Sequence, residues 1–212
     1  MASTAIAYHR TVIGSPLESD AHGVRTTDAS TDADLVGRAR NGDRRAEEII
    51  YRRHVRYVGG AVTRLMRRRP DAEDVVQDAF ASAFEDLASL REPEALRGWI
   101  AQIAVRLVLR KFRRQRLARA LGLDRGTDDA SLAALADPDV GPERRAELAG
   151  LDRALARLAP ELRVVWMLRR VEGWDVDEVA RACETSPATV KRRSADADGQ
   201  LRAILGLSKV PT

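Results

Sequence analysis

Apolar residues recur at helical spacing through two long stretches of this chain, separated by a polar stretch without the period. The first begins at Asp34, and either Asp32 or Asp34 is expected to cap its opening helix. Asn41-Gly42-Asp43 interrupts the period, and Asp43 offers a cap to the next helix. Ile49, Ile50, Val55, Val58, Val62, Leu65 and Met66 then predict an amphipathic helix of about seven turns. Arg67-Arg68-Arg69-Pro70 closes it, since cations suit the negative helix end and proline disfavours continuation. Asp71 reads as the following cap. Behind it Val75/Val76, Ala79/Phe80, Ala83/Phe84 and Leu87 form an apolar stripe, with Glu73, Asp74, Gln77, Asp78, Glu85 and Asp86 on the opposite faces. After a loop at Arg91-Glu92-Pro93, residues 94–116 predict another helix. Its stripe is Trp99, Ile100, Ile103, Ala104, Leu107 and Val108, and Arg106, Arg110, Lys111, Arg113, Arg114 and Arg116 crowd its C-terminal half.

The second periodic stretch starts near Leu148. Leu151, Leu155, Leu158, Leu162, Val165 and Leu168 continue it, with Pro160 dividing two helices. Val171-Glu172-Gly173-Trp174 reads as a turn, and 175–183 as a short helix with Val176, Val179, Ala180 and Cys183 inward. After a turn at Glu184-Thr185, Ser186 and Pro187 open a last helix as cap and first-turn proline, running to about Leu205. Residues 1–33 show no apolar period and are expected to be a mobile tail. Residues 117–147 hold five aspartates with Gly122, Gly126, Pro138, Gly141 and Pro142, the signature of a linker. The expected fold class is therefore all-α: two small helical domains, 34–116 and 148–208, joined by a flexible acidic linker.

Composition narrows the classes. The 212 residues fit one domain or two small ones. Aromatics at 4% argue against a sandwich or barrel. A single cysteine, Cys183, excludes an intrachain disulfide framework and a cysteine zinc site. The best apolar run, Trp99 to Leu109, is interrupted by Gln102 and Arg106 and falls short of the roughly 20 residues a membrane helix needs. With no signal-like N-terminus either, a soluble cytoplasmic protein without membrane insertion is expected. The net charge of +4 conceals segregation: 34–116 carry 19 basic and 12 acidic side chains, 117–149 only 4 and 7. A basic half beside an acidic connector points to nucleic acid. Arginine supplies 33 of the 36 positive charges, which suits paired phosphate and base-edge bonding, although a GC-rich genome also enriches arginine.

Three constellations carry candidate chemistry. The helix–turn–helix pattern at 175–194 presents Ser186, Pro187, Thr189, Lys191, Arg192 and Arg193 at the start of its second helix, where side chains reach base edges and phosphates. An ordinary helical hairpin with solvated charge is the plain alternative. The helix from Trp99 combines an aromatic with Arg106, Arg110, Lys111, Arg113 and Arg114; it could lie on a phosphate backbone and stack an unpaired base, or Trp99 could simply fill the core. The carboxylates at 73–78 could dock a basic protein surface, complement a helix dipole, or hold a metal. No histidine lies near them: His9 and His22 fall in the tail, and His54 is expected to be exposed. Phosphate-loop, nucleophile-elbow and Cys/His signals are missing, so no enzyme activity, cofactor or metal is expected.

Together these residues resemble the extracytoplasmic-function (ECF) sigma factors, within the sigma-70 family of bacterial RNA polymerase. Asp34-Leu35-Val36 with Gly42-Asp43 is similar to the opening of that family's first domain. Residues 72–80, Ala-Glu-Asp-Val-Val-Gln-Asp-Ala-Phe, are similar to its polymerase-docking helix, and 99–104 to the start of its promoter-melting helix. Leu158-Ala159-Pro160 through Gly173, with Thr189-Val190-Lys191, resemble its upstream-element reader. The resemblance implies a protein that binds core RNA polymerase and promoter DNA, with an anti-sigma factor as an optional third partner. It assigns docking to Glu73, Asp74, Gln77 and Asp78. Opening of the promoter-proximal element falls to the helix from Trp99, and reading of the upstream element to the helix from Ser186. Arg106 and Arg110 stand where the family usually has Asn and Asp. Glu184 replaces the usual turn glycine, which predicts a differently built turn, and Asp196 and Asp198 predict weaker backbone contact beyond Arg193. Two rival functions are a stand-alone helix–turn–helix regulator, which needs no docking helix, and a metal-dependent nucleic-acid enzyme built on the 73–78 carboxylates.

Overall fold

The computed structural model describes residues 29–66, 69–122 and 141–207. Of the expected tail, 1–33, residues 1–28 lie outside them, and of the expected linker, 117–147, residues 123–140; the described parts are not tail or linker throughout, since Asp32, Ala33, 117–120 and 142–147 are helical. Eight α-helices follow in order: α1 (Asp32–Arg40), α2 (Arg44–Met66), α3 (Arg69–Glu85), α4 (Leu96–Ala120), α5 (Pro142–Ala156), α6 (Pro160–Arg170), α7 (Val176–Ala182) and α8 (Pro187–Ile204). Two 3-10 turns, Leu87–Ser89 and Pro93–Ala95, connect α3 to α4. No strand occurs among the described residues, in keeping with the all-α expectation.

The chain divides into two compact units, with the division between Lys111 and Phe112, inside α4. In the first, α2 packs on both α1 and α3. Leu35, Ile50, Val58, Ala79, Leu96 and Ile100 are fully buried there, and truncating Ile50 or Leu96 to alanine costs about 2–5 kcal/mol. In the second unit α8 packs on α6 and α7. Leu155, Trp166, Leu168, Val190 and Leu201 form its core.

Local chemistry sets where these helices begin. Asp43 caps α2 as expected, its Oδ1 accepting from the amides of Arg45 and Ala46 at 2.9 and 3.3 Å. The cap of α1 is Thr31, not an aspartate. Its Oγ1 accepts from Asp34 N at 3.1 Å, and Asp34 Oδ2 accepts in return from Thr31 N at 3.0 Å. These Thr31 bonds hold the Asp34 carboxyl below its ordinary pKa. Asp32, the other candidate, instead pairs with Arg53 Nη1 at 2.7 Å. Asp71 is no cap either: α3 already begins at Arg69, and Asp71 lies in its first turn. Pro70 thus sits at the start of α3, where a missing amide proton costs nothing. Helix α4 runs four residues past the expected end, and α5 begins at Pro142, before Leu148.

His54 corrects another expectation. It is only 5% exposed, turned inward on α2 with Nε2 3.1 Å from Asp32 Oδ2. Burial lowers its pKa below the ordinary value, while the Asp32 carboxylate works in the opposite direction.

Candidate nucleic-acid interface

The helix–turn–helix is built from two capped helices and one strained turn. Asp175 caps α7 through the Glu178 amide, and Glu178 reaches back to the Asp175 amide, both at 2.7 Å. The turn keeps the left-handed geometry that glycine usually supplies, with Glu184 at φ 51°. Thr185 N donates to Ala180 O at 3.0 Å and Glu184 N to Arg181 O at 3.4 Å, closing the end of α7 in the six-to-one and five-to-two pattern. The differently built turn expected from Glu184 is therefore overturned, because these bonds hold the residue in place.

Ser186 then caps α8 as expected: its Oγ accepts from Thr189 N at 3.2 Å, with Pro187 in the first turn. Val190 is fully buried. This fixes the outward side of α8, on which Lys191 and Arg192 are exposed. Arg193 is half-buried, and its charge opposes the burial that pushes the Cys183 thiol up to about 11. Thr189 Oγ1 lies 2.9 Å from Ser186 Oγ and so belongs to the cap. Of the three cations at the start of the helix, Lys191 and Arg192 are therefore the exposed ones.

Asp198 departs from its expected place on the surface. It is 9% exposed, its Oδ1 accepting from Trp166 Nε1 at 2.9 Å and its Oδ2 from Arg170 Nη2 at 2.6 Å. Asp196 is exposed, so the expected weakening of backbone contact falls to it alone. Asp198 stands three residues before the buried Leu201, so the two share a side of α8.

On α4, Arg106, Arg110 and Arg114 follow at four-residue spacing, with Arg113 beside Arg110 on the same side. Arg110, Arg113 and Arg114 are exposed, and Arg106 and Trp99 are half-buried. Lys111 is set apart: its Nζ lies 2.9 Å from Asp71 Oδ1 and 3.9 Å from Asp74 Oδ2. On α3, Glu73, Asp74, Gln77 and Asp78 are all exposed while Val75, Val76, Ala79 and Phe80 turn inward. Among the described residues no group of three or more His, Cys, Asp or Glu side chains is placed to hold a metal ion. No described helix is long and apolar enough to cross a membrane. Sequence reasoning missed the Arg97 guanidinium over the Tyr57 ring, 4.8 Å from its centroid, since one helix's pattern does not reveal its neighbour.

This arrangement, an acidic face and a cationic helix followed by a helix–turn–helix, is matched by known proteins. The sigma-70 region 2 family matches residues 50–118 and the sigma-70 region 4 family residues 148–197. The RNA polymerase sigma factor NccH of Alcaligenes xylosoxydans xylosoxydans is 33% identical over 188 residues, covering 87% of this chain and 100% of its own. The ECF RNA polymerase sigma factor SigM of Mycobacterium tuberculosis is 29% identical over 176 residues, covering 83% and 85%. The fold also matches the sigma factor RpoE of Bartonella quintana, solved with the anti-sigma factor NepR. Its TM-score is 0.59 at 21% identity, over 75% of this chain and 96% of that one. The chain belongs to the sigma-70 family, in its ECF group. It is a sigma factor, one of a family of transcription factors that direct RNA polymerase to promoters.

Proposed function

We propose the following division of labour within this sigma factor. Residues 34–116 dock on core RNA polymerase and help open the promoter-proximal element, and 148–208 read the upstream element, with 117–147 as the linker. Glu73, Asp74, Gln77 and Asp78 form the docking face. Trp99, Arg106, Arg110, Arg113 and Arg114 meet the opened strand, while Lys111 supports them by joining α4 to Asp71. Ser186 and Pro187 fix the start of α8, Thr189 completes that cap, and Lys191, Arg192 and Arg193 meet upstream DNA. The protein acts in the cytoplasm and is not an enzyme: strand opening draws on binding energy, and no cofactor or metal takes part. An anti-sigma factor is a further proposed partner.

The observation that carries this reading is the joint exposure of Glu73, Asp74, Gln77 and Asp78 along one helix whose other side is core. A stand-alone regulator has no use for such a face. Asp74, with 74% of its side chain exposed, is the position to test. Asp74→Arg is expected to weaken core-polymerase binding at least tenfold in a titration, with helicity by circular dichroism unchanged. Unchanged affinity would contradict the docking assignment and favour the stand-alone regulator.

A further inference from the structure

Asp198 is the one acidic side chain on α8 that turns inward, and both of its oxygens are engaged by α6. Trp166 and Arg170 stand four residues apart on α6, so they share a side of that helix. Each donates to a different oxygen of the same carboxylate. The other buried side chains of α8 are Val190, Ala197 and Leu201, all apolar. Apolar contacts are non-directional and resist rolling or sliding of a helix only weakly. Two charge-assisted or indole hydrogen bonds to one buried carboxylate are directional, and breaking either leaves a buried polar group without its partner.

The position of a base-reading side chain depends on the rotation of its helix. One residue's worth of rotation in an α-helix is about 100°. A roll of that size would carry Lys191 and Arg192 away from the groove and bring other side chains round. We propose that Asp198 is a positioning residue for promoter recognition: its bonds to Trp166 and Arg170 set the rotation of α8, and thereby which upstream base pairs Arg192 and Arg193 address. The inference rests on the reading of α8 as the upstream-element helix.

The test is a selection on randomised upstream DNA, using holoenzyme assembled from core polymerase and full-length protein. Asp198→Asn keeps an oxygen for Trp166 but places an uncharged amide against Arg170. Trp166→Phe removes the other donor and leaves all charges unchanged, so it separates positioning from any direct repulsion of DNA by the Asp198 charge. Arg192→Ala and Arg193→Ala serve as controls for the reading itself. Thermal melting followed by circular dichroism identifies which variants remain folded at the assay temperature. For those, discrimination between the selected element and scrambled sequence is expected to fall at least about fivefold, the lower end of what one paired base contact supplies. Affinity for non-specific duplex should change less than about twofold, because phosphate contact carries no sequence information. Unchanged discrimination in both clamp variants, or equal losses on specific and non-specific DNA, would overturn the inference while the arginine controls still shifted the selected sequence. If the arginine controls left the selected sequence untouched, the reading of α8 would fall, and the inference with it.

Discussion

Glu184 occupies a backbone region, φ 51°, in which a side-chain-bearing residue is strained by about 1–2 kcal/mol. Nothing in the turn requires its side chain, which is exposed. Glu184→Gly is expected to stabilise the second unit by roughly 0.5–1 kcal/mol, once glycine's greater freedom in the unfolded chain is subtracted. A thermal melt should show this as a rise of a few degrees, and an unchanged or lower midpoint would show that the turn is not strained. His54 makes a second prediction at this scale. Its pKa lies below 6.5 because burial disfavours the charged form, with Arg53 and Arg97 acting in the same sense against Asp32. The unfolded chain therefore takes up the proton first as the solution is acidified. Stability tied to His54 is intact above the ordinary value of about 6.5 and is lost as pH falls through it towards the folded value. The melting midpoint should drop less between pH 7 and 5 in His54→Gln than in the parent protein; equal drops would show that another group controls acid stability.

At the scale of the element, the sequence announced most of the helices because their stripes are regular. Val75/Val76, Ala79/Phe80 and Ala83 are buried as their four-residue spacing requires, and Ser186-Pro187 begins α8 where capping chemistry says it should. The failures have physical causes. Thr31 is not legible as a cap by itself, because a reciprocal cap needs its partner three residues on, and Asp32 and Asp34 each offer capping chemistry alone. Arginines surround His54 in sequence, which suggests exposure, although only the period of α2 decides which side faces the core. The pairing of Lys111 with Asp71 joins residues forty apart, and no local pattern encodes it. That pairing also divides the cations of α4 into two kinds. Replacing Arg110, Arg113 and Arg114 by alanine is expected to flatten the log–log salt dependence on melted promoter DNA by about 2–3, at roughly 0.7–0.9 per phosphate contact. Lys111→Ala should instead lower thermal stability and leave the slope nearly unchanged. An unaltered slope in the triple variant would mean that those arginines are merely solvated.

At the scale of the whole molecule, two compact helical units carry two distinct kinds of surface. The first unit bears the acidic face of α3, and the second bears the capped, cationic start of α8. Neither surface alone makes a sigma factor. An acidic helix without a reader would bind polymerase at no particular site, and a reader without a docking helix would be a simple DNA-binding protein. Whether one chain joins the two tasks is decided by transcription in vitro. Core RNA polymerase is supplied with the DNA upstream of this protein's own gene, with and without the protein. A discrete transcript is expected only when the protein is present, and it should be strongly reduced with Asp74→Arg. Protein that binds the same DNA yet yields no transcript with core polymerase would contradict the joining of the two tasks.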